Sequence, residues 1–389
     1  MTNGKQELKI LLIAGEASGD KHGAALARAL RRLYPETSFE MFGSGGDEMR
    51  SAGVETLVDA KDVAIIGIPE IARALGRLYA AYRKLITTAR DRKPDVVVLI
   101  DWPDFNMRVA RALGRDGFKI VYYISPQVWA WRKYRVRALR RDVDRMLVIL
   151  PFEEEFYKDS GIDVEYVGHP LAESVAVTAT RREFAAKHGL DAARPIIALL
   201  PGSRKKEIHY HTPALLDAAA RLDRKKTDLF PLALQFVVPL ASTIDRREIE
   251  THIAEAEARN RAKVDVRIVE RDLYNAVGHS EVAVVASGTA TVEAALVGTP
   301  MVIVYRGSQL NWRLIRPLIH LDTFGMVNLI AGRRVAPELM QDDVTGERIA
   351  REVETLLSDA ERLARARKEL ATVAEKLRSG GAATNERAA

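Results

Sequence analysis

Short uninterrupted apolar runs, separated by longer stretches in which apolar residues recur every three or four positions, set the rhythm of this chain. The runs Ile10–Ala14, Val96–Ile100, Ile120–Ile124, Met146–Leu150, Ile196–Leu200, Gln235–Val238, Val282–Ala286 and Met301–Val304 predict strands. Several are continuous and β-branched rather than alternating, which marks strands buried on both faces of a parallel sheet. Between them, stretches such as Ala24–Leu33 and Leu215–Leu222 predict helices, and the alternation is that of doubly wound α/β sheets. The rhythm occurs twice. Gly168-His169-Pro170-Leu171 stands at the joint, where proline forces an extended backbone and glycine permits a bend. The chain therefore reads as two Rossmann-like domains, residues 1–169 and 170–347, facing each other across a cleft. Arg348–Leu377 predicts one or two long closing helices, and Ser379–Ala389 a frayed polar tail.

A length of 389 residues agrees with two domains, and 47% apolar with 29% charged residues is ordinary for a globular protein. There are no cysteines, so disulfides, thiolate metal sites and cysteine nucleophiles are excluded. The N-terminal apolar run is too short for a signal peptide, and no stretch approaches the roughly 20 residues that span a bilayer. The expected location is cytoplasmic, with contact to a membrane from that side left open. A net charge of +6 favours an anionic partner, whether phosphorylated substrate, anionic lipid or nucleic acid.

The most informative segment is Val284–Tyr305, which reads as strand, tight turn, helix, strand. Ser287-Gly288-Thr289 falls where a helix start would offer unpaired N–H groups and a positive dipole end to an anion. Thr289 and Glu293 would share a helix face one turn apart. Phosphate at the turn and ribose hydroxyls on the carboxylate would suit a nucleotide; an ordinary βαβ unit with a solvated Glu293 is the alternative. The first domain opens on a comparable turn, Ala14-Gly15-Glu16-Ala17-Ser18-Gly19-Asp20, at the strand edge where such sheets bind ligands. It is neither a Walker A loop nor a GxGxxG fingerprint. The second domain opens on Leu199-Leu200-Pro201-Gly202-Ser203-Arg204, where Arg204 is placed to hold a diphosphate or else begins a solvated basic helix.

Asp101 ends the run Val96–Ile100 and is a candidate general base, with a pKa that burial would raise; Asp104 could cap the next helix. Tyr122–Arg135 interleaves aromatic and basic residues, which can hold a phosphate, a sugar face or a base. In Val63–Leu85, Leu75, Leu78, Tyr79, Tyr82 and Leu85 follow helical spacing among Arg73, Arg77, Arg83 and Lys84. Such a helix faces a core or lies in a membrane interface. Asp142-Val143-Asp144 matches an Asp-x-Asp metal motif only by three residues in a charged run. No histidine spacing suits a metal and no G-x-S-x-G elbow occurs, so neither metal nor cofactor is expected.

Taken together, AGEASGD at Ala14–Asp20, IDWPDFN at Ile100–Asn106, SPQVWAWR at Ser125–Arg132, LPFE at Leu150–Glu153, GHPL at Gly168–Leu171, LLPGSR at Leu199–Arg204, SGTATVE at Ser287–Glu293 and NLIAG at Asn328–Gly332 resemble the lipid-A-disaccharide synthases. These are inverting glycosyltransferases of the two-domain GT-B fold. Trp102 stands where that family commonly has a small residue. The resemblance implies transfer of 2,3-diacylglucosamine from its UDP derivative to 2,3-diacylglucosamine 1-phosphate, giving UDP and the β-1,6-linked disaccharide 1-phosphate of lipid A. It implies Asp101 as base, Arg204 with the N–H groups of Ser287, Gly288 and Thr289 on the departing diphosphate, Glu293 on the ribose and Asn328 facing the donor. Gly15, Ser18 and Gly19 would line the acceptor side, with Gln127 and Trp129 nearby. Because both substrates are acylated, it also favours a membrane-facing role for Val63–Leu85, against anionic phospholipid on the cytoplasmic face of the inner membrane. The helices of 348–378 would pack back on the first domain, and a homodimer is permitted but not compelled. A UDP-sugar 2-epimerase on the same fold and a non-catalytic binding module are the competing classes; a nucleic-acid partner is not expected.

Overall fold

The structure, a computed structural model of the chain, describes residues 7–63, 71–131, 133–224, 233–261, 263–309, 312–313, 316–318, 322–378 and 383–389. The apolar start of Val63–Leu85 (residues 64–70), Arg132 of the aromatic-basic segment and residues 379–382 of the tail lie outside the described residues. Two compact units emerge: Met1–Pro170 with Leu377–Ala389, and Leu171–Lys376.

Unit 1 is a parallel sheet of seven strands: β1 (Glu7–Ile13), β2 (Ser38–Gly45), β3 (Glu55–Asp59), β4 (Val96–Ile100), β5 (Ile120–Tyr123), β6 (Arg145–Val148) and β7 (Asp163–Tyr166). Their order is β3-β2-β1-β4-β5-β6-β7. Successive residues of β1 feed opposite faces: Leu11 and Ile13 pack with Leu85, Val109 and Tyr122, whereas Ile10 and Leu12 pack with Leu26, Leu30 and Tyr123. That two-sided burial is why the run contains no polar residue.

Unit 2 has six parallel strands: β8 (Ile196–Leu200), β9 (Gln235–Leu240), β10 (Val266–Glu270), β11 (Val282–Ala286), β12 (Met301–Tyr305) and β13 (Glu338–Met340), in the order β10-β9-β8-β11-β12-β13. All eight apolar runs form strands. Ile120–Ile124 stops one residue early because Ile124 takes a left-handed φ of 63°, and Met146–Leu150 shifts to Arg145–Val148. Five strands carry no such run. Four of them, β3, β7, β10 and β13, are the edges of the two sheets. An edge strand is covered less fully, so it need not be continuously apolar; β3 has no fully buried residue.

The C-terminal region differs from expectation. Gly346–Leu357 buries Ile349, Ala350, Val353 and Leu356 in the core of unit 2, beside Leu215 and Leu222. Ala360–Arg378 bonds to the same unit through Arg367–Glu281, Arg333–Glu369 and Lys376 to the carbonyl of Ile330. These helices therefore belong with the second unit up to Lys376, not with the first. The tail does not fray throughout: Thr384–Ala388 is helical, the hydroxyl of Tyr123 donates to Asn385 at 3.0 Å, and Arg387 donates to the carbonyl of Tyr166 at 2.7 Å. No helix among the described residues is long and apolar enough to cross a membrane.

Candidate active site

In an open parallel sheet, ligands bind beyond the carboxyl ends of the strands where the strand order reverses. In unit 1 that point lies between β1 and β4, and in unit 2 between β8 and β11. The four turns leaving those strands are Gly15–Glu16, where the helix Ala17–Leu33 begins earlier than expected and takes in Ser18, Gly19 and Asp20, then Asp101–Trp102, Pro201–Arg204 and Ser287–Thr289. The sequence motifs and the topology thus select the same places for independent reasons.

The turn after β4 is strained. Asp101 and Trp102 both hold left-handed backbones, with φ of 48° and 50°. Such residues cost about 1–3 kcal/mol each and persist only where the surroundings over-determine them. Here they do. The Asp101 N–H donates to the carbonyl of Tyr123 at 3.1 Å. Its own carbonyl accepts from the Tyr122 hydroxyl and from Asn106 Nδ2, both at 2.8 Å. Burial, and then the neighbouring Glu16 carboxylate, push the Asp101 carboxyl above its ordinary range. Asp104 is by contrast exposed and paired with Arg135 at 2.5 Å.

Across the switch point, Gly15 and Gly19 are buried and Ser18 is exposed. Asp20 is structural: its carboxylate accepts the N–H groups of Gly46, Glu48 and Met49 at 2.6–3.1 Å and so starts the helix Asp47–Ser51. Gln127 is exposed, but Trp129 turns inward, 6% exposed, and donates its indole N–H to Glu153 at 3.1 Å. The same carboxylate accepts from the Ser125 hydroxyl and from the N–H of Leu150. Burial lifts the Glu153 carboxyl to about 7. Glu153 thus ties down the segment Ser125–Trp129, and the Trp129 indole N–H is spent on that tie. Only the three-residue capping spacing from Leu150 to Glu153 signals this in the sequence.

In unit 2, Arg204 is largely exposed and pairs with Glu207 at 2.7 Å. The other oxygen of Glu207 accepts the N–H groups of Ser203 and Arg204 at 2.8 and 3.2 Å. One carboxylate therefore occupies the donors that an anion would use. Gly202, with φ of 124°, is needed here, because a Cβ would stand 2.5 Å from that carboxylate. Ser287 donates its hydroxyl to the carbonyl of Phe324 at 3.2 Å, and Thr289 opens the helix Thr289–Leu296 beside Gly288, where a Cβ would meet open space. Glu293 accepts from the Tyr274 hydroxyl at 3.3 Å and is pushed up by burial. Beside these turns lies a cavity of about 770 Å³ lined by Lys205, Lys206, Ser287, Arg306, Trp312 and Phe324 among others. That volume suits a nucleotide-sized ligand.

Asn328 does not face this space. It is fully buried: Nδ2 donates to the carbonyl of Ala336 and to Glu338, and Oδ1 accepts the N–H groups of Val335 and Ala336. Its hydrogen bonds go to shaping the loop ahead of β13. Asp142 and Asp144 likewise serve structure, pairing with Arg141 and accepting the N–H of Ile120. Among the described residues no three His, Asp or Glu side chains are grouped to hold an ion.

The family described as lipid-A-disaccharide synthetase matches residues 10–389. The lipid-A-disaccharide synthase of Koribacter versatilis is 46% identical over 340 residues, 87% of this chain and 85% of that protein. The synthase of Acidobacterium capsulatum is 47% identical over 340 residues, covering 86% and 83%. Among solved structures, a putative UDP-N-acetylglucosamine 2-epimerase from Listeria monocytogenes superposes with a TM-score of 0.62 at 14% identity, over 95% of this chain and 94% of that one. The calicheamicin glycosyltransferase CalG4 gives 0.55 at 13% identity over 96% of each. At such identities the likeness speaks for the fold alone, and that fold is GT-B.

Proposed function

The chain belongs to the lipid-A-disaccharide synthetase family, and from that premise we propose how its residues carry out the glycosyl transfer of lipid A biosynthesis. The donor is UDP-2,3-diacylglucosamine and the acceptor is 2,3-diacylglucosamine 1-phosphate. The acceptor 6-hydroxyl oxygen attacks the anomeric carbon, the bond from that carbon to the diphosphate breaks, and the hydroxyl proton passes to Asp101. Inversion follows from this single displacement.

The observation that carries the reading is the clamped left-handed pair Asp101–Trp102, which holds a half-buried, raised-pKa carboxylate at the switch point of unit 1. A base of raised pKa is better matched to a hydroxyl proton at neutral pH. In unit 2, the Ser287–Thr289 helix start and Arg204 stabilise the negative charge that grows on the leaving UDP. Glu293 takes the ribose hydroxyls in place of its bond to Tyr274. Gly15, Ser18, Gly19 and Gln127 form the acceptor side.

The helix Ile71–Arg92 supports a membrane-facing role through only part of its apolar pattern. Leu78, Tyr82 and Leu85 pack into unit 1, whereas Leu75 and Tyr79 are 60% and 61% exposed beside exposed Arg77 and Arg83. We assign that outer pair to anionic phospholipid.

The decisive experiment measures UDP release in EDTA and detergent, with the diacylated donor, with and without the acceptor. Acceptor-dependent release with a disaccharide phosphate in the mass spectrum is expected. Turnover that requires added Mg²⁺ would overturn the charge assignment to Arg204 and the helix start. Epimerisation of UDP-N-acetylglucosamine without acceptor would overturn the reaction.

A further inference from the structure

Two of the turns around the unit 2 cavity are joined by one side chain. His211, on the helix Lys205–Arg224, is 1% exposed. Its Nδ1 lies 2.7 Å from the carbonyl oxygen of Pro201, and its Nε2 lies 2.9 Å from the backbone nitrogen of Arg306. A carbonyl can only accept and a backbone N–H can only donate. The ring is therefore neutral, with its proton on Nδ1 and the Nε2 lone pair facing Arg306. Pro201 follows β8 and Arg306 follows β12, and β11 lies between them in the sheet. The imidazole thus reaches from one turn to the other past the strand that carries Ser287.

We propose that His211 is a positioning residue for donor binding: its neutral ring fixes the spacing between the Pro201–Arg204 turn and the Arg306–Ser308 turn. Both ring nitrogens are engaged, so His211 neither touches substrate nor moves a proton in the reaction. It holds the backbone from which Arg204 and Arg306 reach toward an anionic ligand. The inference rests on assigning the cavity to the nucleotide donor.

The groups around the ring make protonation its point of failure. Burial pushes the imidazolium pKa down; the Arg306 guanidinium acts the same way, while the Pro201 carbonyl and the Glu207 carboxylate oppose them. A second proton on Nε2 would face the Arg306 N–H and break that bond. Donor binding is thereby tied to the neutral ring.

The test is UDP titration calorimetry on the full chain, wild type and His211→Gln, at mildly alkaline and mildly acidic pH. Glutamine can donate to Pro201 or accept from Arg306 but does not titrate. About tenfold weaker UDP binding is expected for the variant, the size of one buried hydrogen bond, with a flatter pH dependence than wild type. The UDP phosphate titrates equally against both proteins, so the difference between them is the readout. Steady-state kinetics should show a raised donor KM with acceptor KM unchanged. Nitrogen NMR of histidine-labelled protein, with the His211 signals identified by their loss in His211→Gln, should find that wild-type ring neutral and protonated on Nδ1. Wild-type affinity and pH slope in the variant, or a His211 ring protonated on Nε2, would overturn the positioning role while leaving the donor site intact. Failure of wild type to bind UDP at all would instead overturn the donor assignment.

Discussion

A Cβ placed on Gly15 would stand 2.1 Å from Cδ2 and 2.3 Å from Cε3 of Trp102. The indole lies against the bare backbone of the turn after β1 while stacking on Phe105, centroids 3.9 Å apart and planes 9° from parallel. The turns leaving β1 and β4 therefore meet through a ring resting on a glycine. Gly15→Ala should cost about 1–3 kcal/mol in urea unfolding through overpacking. In Gly15→Ala with Trp102→Ala the cost should largely vanish; strictly additive losses would show that the two do not press on each other.

Asp101→Asn keeps the shape of the strained turn but cannot accept a proton. Turnover should fall by about 10²–10⁴ with the melting temperature held. In wild type the acid limb of kcat/KM should lie above the ordinary carboxylate range, because burial and then Glu16 raise the Asp101 pKa. Glu16→Gln should move that limb to lower pH. An unmoved limb would detach it from Asp101.

Glu207 holds the Arg204 side chain and the N–H groups of Ser203 and Arg204, so a diphosphate bound there as proposed would compete with it. Glu207→Gln should tighten UDP binding at low salt while lowering stability by about 1 kcal/mol, as the loss of a helix-start contact does. Arg204→Ala should weaken UDP binding and slow turnover. Equal UDP affinity in all three proteins would place the diphosphate elsewhere.

The outer pair on Ile71–Arg92 can be separated from the inner face. Leu75→Ser with Tyr79→Ser should reduce sedimentation with vesicles containing anionic phospholipid and leave the melting temperature near wild type. Leu78→Ser should do the reverse, since Leu78 packs against the core. Undiminished vesicle binding by the outer variant would remove this helix from the membrane contact.

Stability should carry opposing pH slopes. The Glu153 carboxyl rises from 4.5 to about 7 on folding, so its contribution is complete below pH 4.5 and is lost as pH climbs through about 7. His22 and His169 fall from 6.5 to about 4 through burial, so theirs is complete above pH 6.5 and is lost as pH falls toward 4. Glu153→Gln should flatten only the alkaline side of a urea-midpoint profile. A profile unchanged on that side would mean that Glu153 does not titrate in the folded chain.

The sequence by itself determined the interior strands other than β2, the two doubly wound sheets and the turns at their carboxyl ends. Strands covered on both faces are apolar at nearly every position, and that demand is written locally, as in Leu11–Ile13 or Val282–Ala286. The blocks Ala14–Asp20, Ile100–Asn106, Leu199–Arg204 and Ser287–Glu293 likewise fall at strand ends that the topology alone would choose. Only the tertiary structure decided the edge strands, whose partial cover imposes no such pattern, and the helices of 346–376, whose apolar stripes fit either unit until packing selects one. It also decided which polar side chains are spent on the fold. Asn328, Trp129 and Glu207 carry the residue types of a binding site, yet each is engaged by groups of its own unit. A carboxylate, amide or indole N–H takes the partner that the surrounding turns bring within 3 Å or so, and those turns are set by strands far apart in sequence.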